Sequence, residues 1–179
     1  PAQLLLLYLE ALENAANSIA VVTGTPLAER RFILEFPERA QALNHIGLSG
    51  GLLDLFAPEN LSSSDLSSLM EDWKATLTTV SQLEKTPARL SNPRLLYYER
   101  AAAALNEENT PAALWLVLRT WTRAILALDE IDKPFKHWQN ACHMAELDTE
   151  HIDQRLEMLD AYLDAVEETL DGWAEKYGV

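Results

Sequence analysis

Eight apolar residues near the C-terminal end, Ile152, Leu156, Leu159, Leu163, Val166, Leu170, Trp173 and Tyr177, recur at alternating steps of four and three. A strand repeats every second residue, so this spacing belongs to an α-helix with one sustained apolar stripe. Such a heptad seam predicts burial against other helices along its whole length. The opposite side carries Asp153, Glu157, Asp160, Asp164, Glu168, Asp171 and Glu175. Asp148, just upstream, reads as the cap that starts this helix.

The rest of the chain repeats the pattern in shorter pieces. From Ala2 to Val22, apolar residues at helical spacing (Leu5, Leu9, Leu12, Ala16, Ile19) predict a first helix that Thr23-Gly24 stops. Thr25-Pro26 reads as a cap with proline in the first turn, opening a second helix that Pro37 breaks or restarts. Ser49-Gly50-Gly51 predicts a flexible point, within a loosely specified stretch spanning 47–64. Helices follow from Asp65, from Asn92-Pro93, from Thr110-Pro111 to about Leu128 or Ile131, and from Pro134. The expectation is an all-α, single-domain chain over 1–179, an antiparallel bundle of about six or seven helices with a long heptad-patterned C-terminal helix.

Charge narrows the partners. The formal net charge of −14 disfavours nucleic acid, whose phosphates an acidic surface repels. Residues 146–179 concentrate the imbalance, with eleven acids against Arg155 and Lys176. A single cysteine, Cys142, excludes an internal disulfide and a thiolate zinc cluster. The uninterrupted apolar run Leu4–Leu9 is too short to span a bilayer, and no basic segment precedes it as in a secretory signal. No membrane partner is expected, and the cytoplasm is the expected location. A chain that starts at Pro1 reads as processed or excised from a longer one.

Few residues suggest chemistry. The helix from Pro111 is apolar nearly all round, which places it at the centre of the bundle, yet it carries Arg119 and Arg123 one turn apart. Buried arginines usually pair with carboxylates; the alternative is a ligand site for a phosphate or another oxyanion. The four histidines form no Glu-x-x-His pairs of the kind that build metal sites in helical bundles, so neither metal nor cofactor is expected. The acids Asp153, Glu157, Asp160, Asp164 and Glu168 have almost no accompanying lysine or arginine. Like charges four apart on a helix cost a few tenths of a kcal/mol per pair, roughly, and this gives weight to docking on a basic partner.

Two resemblances add expectations. Arg39 followed by His45 resembles the Arg-then-His pattern of HEPN-type helical ribonucleases, although Ala40 stands where that family usually carries a polar residue. Residues 95–138 resemble the helical-bundle domain that accompanies nucleotidyltransferases of the kanamycin-nucleotidyltransferase type. The resemblance rests on Leu96-Tyr97-Tyr98, on the aromatic-rich helix from Pro111, and on Pro134-Phe135-Lys136-His137-Trp138. Lys136 stands one position earlier than in that family, and Gly50-Gly51 is not followed by an Asp-x-Asp pair. The resemblance therefore implies a substrate- or nucleotide-binding accessory bundle rather than the transferase. The leading expectation is a non-enzymatic helical module that binds a protein partner or self-associates, with a small-molecule-binding bundle as the alternative.

Overall fold

The computed structural model describes residues 1–129 and 132–178, with Asp132 described by its backbone alone; Ile131, one of the two expected ends for the central helix, lies outside them. Among the described residues there are eight α-helices and no strand: α1 (Ala2–Thr23), α2 (Phe32–Ala42), α3 (Gly47–Asp54), α4 (Ser63–Ser81), α5 (Asn92–Glu108), α6 (Thr110–Ala127), α7 (Asp132–Met144) and α8 (Ile152–Tyr177). A short 3-10 turn, Ala88–Leu90, joins α4 to α5. The helix count exceeds the expected six or seven because the stretch read as flexible contains α3.

Helix α6 forms the centre, as its all-round apolarity requires. Every residue from Ala112 to Thr122 is buried, and the helix packs against α1, α2, α4, α5 and α7. Asn109 caps it by accepting a hydrogen bond from the Ala112 amide. Four tryptophans are buried in or against it, and the indole N–H groups of all but Trp115 find hydrogen-bond partners. Trp73 donates to Thr120 Oγ1 at 3.0 Å, Trp121 to Thr76 Oγ1 at 3.1 Å, and Trp138 to Thr122 Oγ1 at 3.0 Å. These Trp–Thr pairs fix α4 and α7 to α6 in one register.

Four expectations change. Residues 25–31 are not helical, so Thr25-Pro26 opens no helix, and Pro37 sits inside α2. Pro37 costs α2 a backbone donor, but Phe32, Ile33, Phe36 and Ala40 bury its inner face and hold the helix through it. Gly50 and Gly51 lie within α3. At Gly51 the absent side chain has a use, because an added Cβ would lie 3.3 Å from the Tyr162 ring of α8. Helix α1 is 22 residues long and contains an 18-residue window of mean hydropathy 1.3, long and apolar enough to cross a membrane by those criteria alone. Its apolar residues Leu5, Leu9, Leu12 and Ile19 are instead packed in the bundle.

The fourth change concerns α8. Its buried residues are Arg155, Leu159, Tyr162, Val166 and Thr169, whereas Leu156 and Leu163 of the expected seam are 42% and 39% exposed. These buried residues recur at steps of four and three, but their stripe is turned from the expected one by roughly half a residue's rotation on a helix of 3.6 residues per turn. Helix α8 packs mainly on α1 and α3, covered on one side only. Polar residues claim that side: Arg155 donates to the Asp54 carbonyl at the end of α3, and Thr169 Oγ1 lies 3.2 Å from His45 Nδ1.

Candidate functional site

Three places in the fold could carry function, and the expected ligand site is the most enclosed. Arg119 is buried, with its Nη2 atom 2.5 Å from Glu13 Oε2 of α1 and its Nε atom 3.8 Å from Glu29. Arg123, one turn along α6, is hydrogen-bonded to Glu29. The Arg119 guanidinium also lies 5.5 Å from the Trp115 ring centroid. Burial pulls the Arg119 pKa down and the Glu13 charge pushes back. The two arginines thus face two carboxylates supplied by α1 and by the connection before α2. No neighbouring sequence pattern announces Glu13 or Glu29, because both lie far from α6 along the chain.

On α8, Asp153, Glu157, Asp160, Asp164, Glu168, Asp171 and Glu175 are all exposed. Helical geometry places Leu156 and Leu163 between this acidic stripe and the buried face. The outer side of α8 is therefore a partly exposed leucine edge bordered by carboxylates.

The third place is the corner between α7 and α8, which begins with a helix stop. Leu147 donates its amide to the Cys142 carbonyl at 2.8 Å and Glu146 to that of His143 at 3.0 Å, with Glu146 in the left-handed region at φ 54°. This is the Schellman arrangement, here with a glutamate where glycine is usual. Arg155 holds that glutamate, donating to its carbonyl at 3.2 Å and to its carboxylate at 2.7 Å. Asp148 follows, its Oδ1 accepting from the amides of Glu150 and His151 at 3.1 and 3.2 Å; it closes the turn ahead of α8 rather than capping α8 itself, which starts after His151 with no side-chain cap.

The same carboxylate gathers two imidazoles. His143 Nδ1 from the last turn of α7 lies 2.5 Å from Asp148 Oδ2, and His151 Nδ1 lies 2.6 Å from Oδ1. The Asp148 hydrogen bond raises the His143 pKa. For Asp148, burial pushes upward but is outweighed by the hydrogen bonds from His143 and His151, leaving its pKa at about 2. A cleft of about 380 Å³ opens beside His143 and Asp148, with Leu4 and Leu5 of α1, Trp138 and Ile152 among its walls. Cys142 also borders it, but burial and then the Asp148 charge hold its thiol protonated.

The residues of the two resemblances have local partners. Arg39 donates to the Thr23 carbonyl at 2.9 Å, while His45 meets Thr169. Trp138 is buried and stacks with Phe135, His137 pairs with Asp72 at 2.5 Å, and Tyr97 is exposed beside a buried Tyr98. In the sequence this corner is masked, because the Leu147-Asp148 break separates His143 from His151. The available signal was Asp148 with one histidine five residues before it and another three after. Comparison with known proteins offers no relative: no family model matches the chain, nor does any curated protein or any solved structure.

Proposed function

We propose that the chain is a non-enzymatic helical module that docks a basic, amphipathic helical segment of a partner protein on the outer side of α8. The observation that carries this reading is the leucine edge, Leu156 and Leu163, two turns apart and more than a third exposed beside Asp153, Glu157, Asp160, Asp164 and Glu168. Apolar anchors at that spacing suit a helix laid alongside, and the carboxylates suit lysines or arginines flanking its apolar stripe. Self-association through this face is disfavoured, since two copies would bring like charges together. The alternative, a nucleotide-binding bundle, would require Arg119 and Arg123 to release Glu13 and Glu29.

The test uses a labelled synthetic Lys/Leu amphipathic peptide of about 20 residues, long enough for a stable helix on a groove, and fluorescence anisotropy. Saturable binding that weakens with salt is expected. Leu156→Ser with Leu163→Ser should weaken it about tenfold or more, and Asp160→Asn with Asp164→Asn should flatten the salt dependence. Absence of saturation, or binding indifferent to the leucine pair, would refute the reading. A dimer in sedimentation that the leucine substitutions dissociate would refute it in favour of self-association.

A further inference from the structure

We infer that His143, Asp148 and His151 form a binding site for a divalent transition-metal ion of zinc type at the α7–α8 corner. Among the described residues these three side chains each offer a ligand atom, and those atoms all lie within 4.8 Å of one another. Two imidazole nitrogens and one carboxylate oxygen are a ligand set that suits zinc and its neighbours rather than calcium or magnesium, which take oxygen ligands.

Forming the site requires the two imidazoles to turn about a fixed carboxylate. Zinc binds imidazole nitrogen and carboxylate oxygen at about 2.0–2.2 Å, so the ligand atoms of a tetrahedral site stand about 3.3 Å apart. With Oδ1 as the ligand, the His151 Nδ1 contact of 2.6 Å must therefore open by roughly 0.7 Å on those bond lengths, and His143 Nδ1, which lies 2.5 Å from the other oxygen Oδ2, must turn toward the ion. Rotation of the imidazoles supplies this: the His143 side chain is 61% exposed and that of His151 34%. The carboxylate need not move, because the Glu150 and His151 amides already aim its Oδ1. Such support behind a metal ligand is what fixes its orientation in metal sites generally.

Three protein ligands leave a fourth tetrahedral position for water. The cleft beside His143 and Asp148 gives the ion a path from solvent. The three ligands come from the end of α7, the connection and the residue before α8, so a bound ion would pin the two helices at their junction. Without metal, the same groups serve as a hydrogen-bonded His–Asp–His cluster, which is the competing account of their convergence.

Untagged, metal-free full chain titrated with Zn²⁺ in competition with a chromophoric chelator separates the two accounts. One equivalent should bind, and Co²⁺ in its place should give the intense visible absorption of a tetrahedral site. His143→Gln and Asp148→Asn should each weaken Zn²⁺ binding about a hundredfold. Asn retains a side-chain oxygen for the Glu150 and His151 amides, so Asp148→Asn keeps the turn ahead of α8 while removing the charged ligand. His45→Gln and His137→Gln should leave binding unchanged. Failure to compete with the chelator, or stoichiometric binding that survives His143→Gln and Asp148→Asn in chains with wild-type circular dichroism, would overturn the assignment. So would loss of binding in His137→Gln, which would place the ion on the Asp72 side of α7.

Discussion

Glu13→Ala should destabilise the protein far more than Arg119→Met, although the two substitutions break the same ion pair. Arg119 is 3% exposed, and its Nε and Nη1 atoms have no hydrogen-bond partner. Removing Glu13 strands this charge beside Glu29, 3.8 Å from Nε and already engaged by Arg123. Breaking a buried pair in this way costs about 3–5 kcal/mol; the residual attraction of Glu29 puts Glu13→Ala near the lower end, at about 3 kcal/mol. Arg119→Met removes the buried charge and its two unpartnered nitrogens while keeping most of the volume. Glu13, whose side chain is 20% exposed, then recovers water, and Glu29 keeps Arg123. The methionine variant should stay within about 1 kcal/mol of the parent, as buried ion pairs replaced by apolar groups often do. Urea unfolding followed by far-UV circular dichroism measures both, with an unchanged m-value as the check that the unfolded states are comparable. For a chain of 179 residues the predicted gap of about 2 kcal/mol also separates the melting temperatures by roughly 4–8 °C. If Arg119→Met costs as much as Glu13→Ala, the pair contributes net stability and the reasoning from desolvation is wrong.

Two further outcomes follow from burial and hydrogen bonding. Leu159→Ala should cost about 2–4 kcal/mol and Leu163→Ala less than about 1 kcal/mol, since Leu159 is 7% exposed and Leu163 39%; equal losses in urea unfolding would restore the seam drawn from the heptad pattern. Asp65 closes a capping box at the start of α4, where hydrogen bonds from the Ser62 side chain and backbone hold its pKa below the usual carboxylate value. Its contribution is therefore present above its unfolded pKa of about 3.9 and lost as pH falls through the lowered folded value. The parent should lose more stability than Asp65→Asn when pH is taken from about 5 to 3, and parallel unfolding midpoints for the two chains would contradict this.

Local chemistry and periodicity determined much of the fold. Helical spacing with no sustained period-two segment made the chain all-α, and the apolar surround of Leu114, Trp115, Leu118 and Trp121 put α6 at the centre. Asn109 acted as the cap of α6, and Asp148 closed the turn ahead of α8, because short side-chain oxygens reach backbone amides two or three residues on, a relation internal to the sequence. What the tertiary structure decided were relations between distant residues. A heptad repeat specifies the spacing of a stripe but not its azimuth; that depended on the space Gly51 leaves for Tyr162 and on the carbonyl of Asp54 that Arg155 caps. Pro37 stayed inside α2 because burial of its neighbours outweighed a local propensity. Arg119 and Arg123 were legible as candidates, whereas Glu13 and Glu29, which occupy them, come from α1 and from the connection before α2, both far from α6 along the chain. The convergence of His143 and His151 on Asp148 required the left-handed turn at Glu146, where a glutamate takes a conformation its side chain does not favour. Arg155, nine residues on, holds that turn in place, a contact no local pattern announces.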